Sequence, residues 1–340
     1  MAKRVVSGQR PTGRLHLGHY FGTLKNWVKL QDEYECLFFV ADWHALTTKY
    51  DDVSGIADDT REMVLDWLAV GLDPKKCFIY KQSDIPEVAE LFVYLTMITP
   101  VSWLERNPTY KEMIREMEGK DIQTAGFLSY PVLQTADIIL PRGELVPVGE
   151  DQLPHLELGR EIVRRFNFLY GDYFAEPQAL LSPVKRLLGI DGRKMSKSYG
   201  NAIYLSDDPD TIRNKVNRMV TDPARKKKTD PGSTEACMVV FPTHQAYTPA
   251  EDLVRVEKNC REAAWGCTSC KKELAERIIE SLAEFRARRA ELEKEPGIVD
   301  EVLREGLHQV RPICRATIKD VREKLNLYEE PKALKGHASI

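Results

Sequence analysis

Short apolar runs alternate with longer amphipathic stretches through the first half of the chain. Four apolar runs predict β-strands: Val5-Val6, Leu37 to Val40, Phe78 to Tyr80 and Leu145 to Val148. The stretches between them repeat apolar residues at helical spacing and predict helices over 58–70, over 86–97 and from the last strand to about Phe166. Strands that alternate with helices are typical of a parallel sheet with helical crossovers.

The pattern changes near Leu205. From there no strand is predicted, and amphipathic segments predict helices over Pro209 to Val220, Pro249 to Asn259, Lys271 to Leu292, Ile298 to Val310 and Ile313 to Leu325. We therefore expect an α/β fold, with a Rossmann-like parallel sheet in a catalytic domain over 1–204. An all-helical C-terminal domain over 205–330 and a flexible tail over 331–340 should follow it.

Composition limits the class of protein. The chain has 340 residues, of which 43% are hydrophobic and 30% charged, enough for roughly two soluble domains. No run of about eighteen apolar residues occurs, and the N-terminus leads straight into a strand, so we expect no membrane span and a cytoplasmic protein. The net charge of −3 gives no overall attraction for nucleic acid. Any RNA contact must come from local basic patches, for which the candidates are Arg225 to Lys228, Lys271 with Lys272, and Arg286 with Arg288 and Arg289.

Two short phrases carry the strongest chemical signal. The first, Pro11 to His19, places His16 and His19 around Gly18, where the first strand should give way to a helix. Because glycine has no Cβ, a flat purine ring can lie against the backbone there. The imidazoles and the N–H groups at the helix start can donate hydrogen bonds to phosphate oxygens.

The second phrase, Lys194 to Ser198, follows Gly189 and Gly192. Glycines let a loop move, so Lys194 and Lys197 can close two positive charges over a triphosphate. Either phrase alone is weak evidence. Both phrases in this order, flanking a predicted α/β region, predict the two halves of one ATP site.

This pairing resembles the signature of class I aminoacyl-tRNA synthetases. Further stretches resemble the tryptophanyl members of that class: Ala41 to Thr47, Tyr130 to Ile138, Val146 to Gln152, His155 to Arg160 and Arg165 to Asn167. The resemblance implies a tryptophan–tRNA ligase. Such an enzyme activates L-tryptophan with ATP to tryptophanyl-adenylate and pyrophosphate, and then transfers tryptophan to tRNA(Trp).

The resemblance also implies the residues of the ATP site. The catalytic residues would be His16, His19, Lys194 and Lys197. The ATP-binding residues would be Arg10, Pro11, Thr12, Gly18, His19, Gly149, Glu150, Asp151, Lys194, Met195, Ser196, Lys197 and Ser198. Arg10 stands where related enzymes commonly have glutamine. No carboxylate cluster has the spacing of a magnesium cage, so Mg²⁺ is expected to arrive with the ATP.

Asp137 is an acidic residue inside an apolar run, where a carboxylate needs a hydrogen-bond donor. A helix cap or an ion pair would satisfy it, and so would an indole N–H, which only donates. In the tryptophanyl family the equivalent aspartate reads the indole nitrogen, which implies Asp137 as the specificity residue. By the same resemblance Tyr130 and Gln152 hold the α-ammonium group, and Gln134 replaces a common methionine in the substrate site. A tyrosyl enzyme is the alternative, but it often has a tyrosine directly before this aspartate, which this chain lacks.

Four cysteines of the second half form Cys-x22-Cys-x6-Cys-x2-Cys: Cys237, Cys260, Cys267 and Cys270. A cytosolic enzyme rarely uses disulfides, so a metal site is the better interpretation. Zinc and an iron–sulfur cluster both accept four thiolates, and spacing alone does not choose between them. The spacing resembles a subset of tryptophanyl-tRNA synthetases with a [4Fe–4S] cluster in the anticodon-binding domain, which implies that cluster, with Zn²⁺ as the alternative.

Two other classes of protein would explain part of the pattern. A nucleotidyltransferase or small-metabolite ligase would share the first phrase but would not need a helical domain with basic clusters. An iron–sulfur electron carrier would explain only the cysteines. The synthetase family works as a homodimer, and the apolar segment from Leu91 to Trp103 is expected to supply that surface.

Overall fold

The computed structural model describes residues 3–108, 110–111, 114, 123–149, 152–181, 187–197 and 199–327. The predictions for Glu150, Asp151, Ser198 and the tail over 331–340 lie outside the described residues. The described chain begins as a parallel sheet covered by helices and continues as helices alone, so the predicted fold class is confirmed.

Five parallel strands form the sheet in the order β3-β2-β1-β4-β5. The strands are β1 (Arg4–Gln9), β2 (Glu35–Val40), β3 (Cys77–Lys81), β4 (Leu145–Val148) and β5 (Gln178–Leu181). In register, Val5 lies opposite Cys36 on one side and Leu145 on the other. The four strands predicted from apolar runs are confirmed. The sequence pattern does not predict β5, because its residues lie at the sheet edge and are mostly exposed.

Helices connect the strands. The first, α1, spans 17–30 and contains a π-helical turn, Tyr20–Leu24. The others are α2 (Asp42–Lys49), α3 (Ile56–Val70), α4 (Glu87–Ile98), α5 (Val101–Glu105), α6 (Ala125–Leu128), α7 (Tyr130–Ile139) and α8 (Leu153–Tyr170). The predicted helices over 58–70 and 86–97 and the long helix after β4 are confirmed, with ends that differ by a few residues.

Among the described residues beyond 205 the regular elements are helices. They are α9 (Pro209–Asn217), α10 (Val240–Tyr247), α11 (Ala250–Arg261), α12 (Cys267–Ser281), α13 (Ala283–Leu292) and α14 (Ile298–Lys324). The predicted change from strands to helices is therefore confirmed. The sequence pattern does not predict α10.

Two predicted helix boundaries are wrong. The segment predicted as one helix over Lys271 to Leu292 is two helices that meet at Leu282. Conversely, α14 runs through Pro312, where the sequence predicts a break. Proline removes one helical hydrogen bond. The buried side chains of Val310 and Cys314, on either side of it, hold the helix against the sheet.

Apolar side chains fill both faces of the sheet. One layer holds Trp27, Phe38 and Trp67 and continues into α12 and α13, whereas the other layer includes Val310 and Ile318 of α14. The last helix thus returns to the first half of the chain and lies against β3. There Gly306 packs so closely on the carbonyl of Ile79 that a Cβ would not fit.

The chain order reverses beside β1, with β2 and β3 on one side and β4 and β5 on the other. In open parallel sheets, ligands bind at the carboxyl ends of the strands where the order reverses. The fold therefore points to the ends of β1 and β4.

Candidate active site

A cavity of about 360 Å³ opens at the carboxyl ends of β1 and β4. Seven predicted site residues line it: Arg10, Thr12, His19, Tyr130, Gln134, Gly149 and Gln152. The strand β1, the start of α1 and the helix α7 supply most of the remaining wall, together with His44 of α2. The structure therefore brings part of the first phrase and three of the four predicted amino-acid-binding residues to one cavity.

The histidines of the first phrase lie at the start of α1. The rings of His16 and His19 stack with centroids 3.7 Å apart, and His19 Nδ1 accepts a hydrogen bond from the His16 backbone N–H at 3.3 Å. Burial lowers the pKa of His16 to about 4. Burial, reinforced by His16 and Arg10, lowers the pKa of His19 well below its usual value. The lowered pKa values favour neutral imidazoles, and a neutral imidazole can still donate one hydrogen bond.

The backbone of the first phrase is hydrogen-bonded to the segment that follows the lysine phrase. Leu17 N–H donates to the Ile203 carbonyl at 3.0 Å, and Leu205 N–H donates to the Leu15 carbonyl at 2.9 Å. A Cβ built on Gly18 would contact the His16 ring at 3.0 Å and Met195 Cβ at 3.8 Å. The predicted meeting of the two phrases is thus present in the backbone.

The lysine loop is organised around the buried side chain of Asn201. Its amide oxygen accepts from Ser196 N–H at 2.8 Å, and its amide nitrogen donates to Asp191 Oδ1 at 2.8 Å and to the Lys194 carbonyl at 3.0 Å. Sequence reasoning missed Asn201, because an asparagine three residues after a lysine-rich phrase carries no pattern of its own.

Lys197 reaches the first phrase directly. Its Nζ donates to the Thr12 carbonyl at 3.1 Å and lies 3.4 Å from Asp59 Oδ1, while Lys49 Nζ lies 2.6 Å from Asp59 Oδ2. Gly13 has a φ of +77°, and a Cβ there would lie 2.5 Å from both Lys197 Nζ and Asp59 Oδ1. The positive φ favours glycine at this crossing, and a larger side chain would also have to displace the ends of Lys197 and Asp59.

Several residues of the predicted ATP and tryptophan sets do not line the cavity. Pro11 is buried, and the lining of the cavity also does not include His16, Gly18, Asp137, Lys194, Met195, Ser196 and Lys197. A change of loop position, or a bound triphosphate long enough to reach out of the cavity, would be needed for the lysines to contact a ligand.

Asp137 is fully enclosed and hydrogen-bonded to protein. His44 Nε2 lies 2.8 Å from its Oδ2, and Gln82 Nε2 lies 2.8 Å from both carboxylate oxygens. Gln82 is itself oriented, because its Oε1 accepts from the Trp43 N–H at 3.1 Å. Burial raises the pKa of Asp137, and the hydrogen bonds from His44 and Gln82 oppose that rise. The sequence analysis did not identify Gln82, which belongs to none of the motifs.

Three buried polar atoms of the cavity lining lack a hydrogen-bond partner among the described residues. They are Thr12 Oγ1, His44 Nδ1 and Gln134 Oε1. Leaving a buried polar atom without a partner is costly, so such atoms in a cavity wall indicate a polar ligand. Tyr130 packs between two histidines, with its ring centroid 4.2 Å from that of His44 and 5.7 Å from that of His155.

The four cysteines line a second cavity, together with Arg225, in the helical half. Arg225 Nη1 lies 3.9 Å from Cys260 Sγ and 3.8 Å from Cys267 Sγ. Cys270 Sγ lies 3.4 Å from His244 Nε2. The predicted grouping of Cys237, Cys260, Cys267 and Cys270 around one space is therefore present, although no set of three metal-ligating side chains in the described chain converges on a single ion position.

Three of these thiols resist ionisation because of their burial. Burial raises the pKa of Cys237, Cys260 and Cys270, to about 12 for Cys270, and neighbouring sulfurs add to each rise. The side chain of Arg225 opposes the rise at Cys260. A positively charged centre in the cavity would reverse this balance and favour thiolates.

The basic patches differ in their surroundings. Arg225 faces the cysteines, and Lys271 donates from Nζ to the Asn217 carbonyl at 2.8 Å. Arg289 is buried between helices and is not a surface residue, so that member of the third predicted patch is wrong. In the described residues no helix is both long enough and apolar enough to cross a membrane.

Comparison with known proteins identifies close relatives over nearly the whole chain. The family of class I tRNA synthetases for tryptophan and tyrosine, "tRNA synthetases class I (W and Y)", matches residues 2–283. A tryptophan–tRNA ligase of Thermotoga maritima is 50% identical over 326 residues, which cover 95% of this chain and 99% of that protein. A tryptophan–tRNA ligase of Aquifex aeolicus is 44% identical over 394 aligned residues, covering 95% of this chain and 100% of that protein.

Solved structures give the same result. The tryptophanyl-tRNA synthetase of Campylobacter jejuni in complex with ADP and tryptophan is 32% identical, with a TM-score of 0.84 over 95% of this chain and 100% of that one. A tyrosyl-tRNA synthetase of Archaeoglobus fulgidus is 21% identical with a TM-score of 0.66, a likeness that shows the fold alone.

Proposed function

This chain belongs to the class I tryptophanyl-tRNA synthetases, and we propose that the cavity at the ends of β1 and β4 is where it activates tryptophan. Its activity is that of a tryptophan–tRNA ligase. L-tryptophan and ATP give tryptophanyl-adenylate and pyrophosphate, and tryptophan then passes to tRNA(Trp). The observation that carries the site assignment is the set of unpartnered polar atoms at Thr12, His44 and Gln134 in one wall.

The first reaction is attack by the tryptophan carboxylate on the α-phosphorus of ATP. The nucleophile is already ionised, so the site needs no general base. It needs to hold the two reactants in line and to stabilise charge on the phosphate oxygens. Neutral His16 and His19 are suited to donate hydrogen bonds there, as is the Thr12 hydroxyl.

The nucleotide would extend from Gly149 toward the histidines. Gly149 and Arg10 line the same cavity as His19, which supports roles for them at the ribose and the phosphates. Glu150 and Asp151, which follow Gly149 in the sequence, are proposed to accept from the ribose hydroxyls, and Ser198 to bind phosphate with the lysine loop. Mg²⁺ is expected with ATP in this reaction and would be held largely by the triphosphate and water.

Lys194 and Lys197 are proposed to act in the transition state, with Met195 and Ser196 holding their loop. Lys197 Nζ already sits at the Thr12 carbonyl, 3.1 Å away, so a short movement would bring its charge to a phosphate beside Thr12. The ion pair with Asp59 must then loosen, because one ammonium group cannot remain on that carboxylate and also serve the leaving pyrophosphate.

Asp137 is proposed to recognise the indole N–H. It adjoins Ile138 and hydrogen-bonds to His44, both of which line the cavity, and it is held as an acceptor by Gln82. Phenylalanine offers no N–H, so it would leave this buried acceptor unsatisfied, and sites of this kind reject such analogues by roughly 10⁴-fold or more. No separate editing site is then required.

Tyr130, Gln134 and Gln152 are proposed to bind the rest of the amino acid. All three line the cavity, and Gln134 Oε1 is an acceptor without a partner among the described residues, so it suits an ammonium group. Methionine, which is common at this position, could not accept such a bond strongly.

The helical half is proposed to bind the anticodon of tRNA(Trp) and to hold a [4Fe–4S] cluster on its four cysteines. The four thiols line one cavity, which supports a shared site, and the resemblance in cysteine spacing favours the cluster over zinc. Cys237, Cys260, Cys267 and Cys270 would be the ligands, and the cluster would brace this loop-rich region. Zn²⁺ is the alternative.

Further properties of the family are proposed for this chain. The division into 1–204, 205–330 and a tail over 331–340 would separate activation from tRNA recognition, although α14 packs back onto β3. A homodimer would use the surface from Leu91 to Trp103, where Met97 is 77% exposed and Val93 and Val101 are also exposed. We also propose that the enzyme acts in the cytoplasm.

Exchange of labelled pyrophosphate into ATP, measured with each of the twenty amino acids in turn, tests the activation step. Exchange supported by tryptophan and not by tyrosine or phenylalanine is the expected result. Preferred use of tyrosine would overturn the assignment of Asp137 and of the cavity around it.

A further inference from the structure

A buried ion pair joins the helical half to the first phrase. Asp66 of α3 is 0% exposed, and Arg289 of α13 is 4% exposed. Arg289 Nη1 hydrogen-bonds to Asp66 Oδ1, and the other carboxylate oxygen, Oδ2, accepts from the Leu15 N–H at 2.7 Å. One carboxylate therefore holds a side chain of the helical half with one oxygen and the backbone of the first phrase with the other.

The Leu15 peptide lies at a junction of both phrases. Its N–H is taken by Asp66, and its carbonyl accepts from Leu205 N–H at 2.9 Å, just beyond the lysine loop. His16 and Tyr204 form an antiparallel bridge next to it. A shift of the Leu15 peptide would therefore move the histidines and the anchor of the lysine loop together.

Among the described residues, Arg289 is the only positively charged side chain that contacts Asp66. Arg289 also donates to Glu62 Oε2 at 2.7 Å, to the Glu62 carbonyl at 3.3 Å and to Glu293 Oε1 at 3.0 Å. Arg14 lies 3.1 Å from the same Glu62 oxygen, but it is largely exposed. A single guanidinium thus serves three carboxylates, of which only Asp66 is fully buried.

We propose that Asp66 is a positioning residue for ATP: gripped by Arg289 of α13, it fixes the Leu15 peptide, so that docking of the helical half sets the geometry of the nucleotide site. Neither side chain touches the reacting atoms. The proposal rests on the proposed function only in taking the two phrases as the ATP site. It gives the helical half a direct mechanical connection to activation, separate from any contact with tRNA.

The physical reason is the cost of a buried carboxylate. Without its guanidinium partner, an enclosed carboxylate must either take up a proton or draw in water. Either change alters the Asp66 carboxylate oxygen that accepts the hydrogen bond from the Leu15 N–H. Displacement of α13 would have the same effect as removal of Arg289, because no other cation of the described chain is within reach of Asp66.

Three variants test the proposal in pyrophosphate exchange: Arg289→Met, Asp66→Asn and the double variant. The matched control is Arg61→Met, because Arg61 also joins α3 to the last helix, but through a 3.6 Å pair with Asp300 in which both side chains are more than half exposed. Rates are normalised to the tryptophanyl-adenylate formed in the first turnover, so that unfolded protein does not contribute.

Each single variant is expected to lower kcat/KM for ATP roughly tenfold or more, while KM for tryptophan stays within about twofold. The double variant should lose no more than the worse single variant, because the two residues act as one unit. Arg61→Met should match the unchanged protein. Hydrogen exchange at the Leu15 amide should be faster in Arg289→Met than in Arg61→Met.

Three results would overturn the proposal. The first is an equal loss of kcat/KM for tryptophan and for ATP, and the second is additive losses in the double variant. The third is an Arg289→Met protein that behaves like Arg61→Met. If Asp66→Asn does not fold, Arg289→Lys replaces it as the test variant, because lysine keeps the positive charge without the forked guanidinium geometry. Arg289→Lys should lower kcat/KM for ATP by a smaller factor than Arg289→Met. An unchanged kcat/KM for ATP would contradict the proposal. Absence of tryptophan-dependent exchange in the unchanged protein would instead refute the proposed function, so the two failures are distinguishable.

Discussion

The cavity at the sheet and the cavity among the cysteines are held together in different ways. Strand ends and backbone hydrogen bonds build the first: Leu15 and Leu17 are bonded to the segment 203–205, and Asp137 is held by His44 and Gln82. The second is lined by four cysteine side chains, and burial with neighbouring sulfurs raises the pKa of Cys237, Cys260 and Cys270. Hydrogen bonds between distant segments hold the walls of the first cavity, whereas four cysteine side chains line the second.

This difference predicts how each region responds to substitution. In the sheet cavity, a changed ligand-binding residue should alter chemistry and leave the fold intact. In the cysteine cavity, a changed residue should alter local structure and leave the chemistry of activation intact. Substitutions in each cavity, compared by activity and by stability, test this difference.

Lys197→Ala should have the largest effect. Removing a positive charge that serves only the transition state should lower kcat for pyrophosphate exchange by roughly 10²-fold or more, with KM for ATP changed by less than about threefold. Thermal unfolding should be unaffected, because Lys197 is more than half exposed. Lys49→Ala is the control, since Lys49 shares Asp59 but lies outside the lysine loop. A change in KM alone would make the loop a binding clamp.

Asp137→Asn should weaken tryptophan use by about 1–3 kcal/mol, the usual loss when a buried hydrogen-bond partner is replaced. The amide keeps the shape of the carboxylate but offers one acceptor in place of two, so His44, Gln82 and the indole N–H compete for it. The measurement is KM for tryptophan in pyrophosphate exchange, with KM for ATP as the internal control. Unchanged discrimination between tryptophan and phenylalanine would remove Asp137 from the specificity site.

Cys267→Ser tests whether a substitution in the cysteine cavity leaves tryptophan activation intact. Protein purified without oxygen should be brown, with about four irons and four sulfides per chain, and the variant should be colourless. Aminoacylation of tRNA should fall by roughly tenfold, by analogy with the loss of a structural metal-site ligand, while pyrophosphate exchange stays within about twofold. Cys36→Ser is the control, because Cys36 is buried in β2 away from the cavity.

Two results of that experiment would contradict us in different ways. Colourless anaerobic protein that holds one zinc would replace the iron assignment with zinc. Equal loss of exchange and aminoacylation would show that the two regions are not independent, and would favour a connection through the helical half of the kind proposed for Arg289.

The sequence predicts the fold well where the pattern is local. Buried strands such as Leu37 to Val40 have apolar runs, and the lysine phrase and the histidine phrase have fixed spacing. Exposed β5 and the helix through Pro312 are missed or misjudged, because their positions depend on packing against distant elements. Local pattern is therefore sufficient for elements that bury a continuous face and insufficient for the others.

The candidate site shows the same limit. The cavity includes seven residues that spacing and resemblance indicate, but the partners that orient them come from elsewhere in the chain. Gln82 meets Asp137 across 55 residues, and Arg289 meets Asp66 across 223. The spacing of residues along the chain does not predict such a pair, because a lone arginine on a charged helix is more often exposed to solvent. Only the fold shows that Arg289 is buried.

A second readout of Arg289→Met, beside its loss of ATP use, is how the stability of the protein depends on pH. Burial raises the pKa of Asp66 to about 6, and Arg289 opposes that rise. The folded state of the unchanged protein therefore holds a proton on Asp66 only below about pH 6, whereas the unfolded chain releases it near pH 4. Without Arg289 the folded-state pKa rises further, so the variant keeps this proton to higher pH.

Because stability falls with rising pH wherever the folded state binds more protons than the unfolded state, Arg289→Met should lose stability relative to the unchanged protein as the pH rises above about 6. Urea unfolding across that range measures the difference, and adding Asp66→Asn should abolish its pH dependence. A stability difference that is the same at every pH would mean that Arg289 does not govern the charge of Asp66. The helical half would then act on the nucleotide site only through tRNA, and the contrast between the two cavities would be complete.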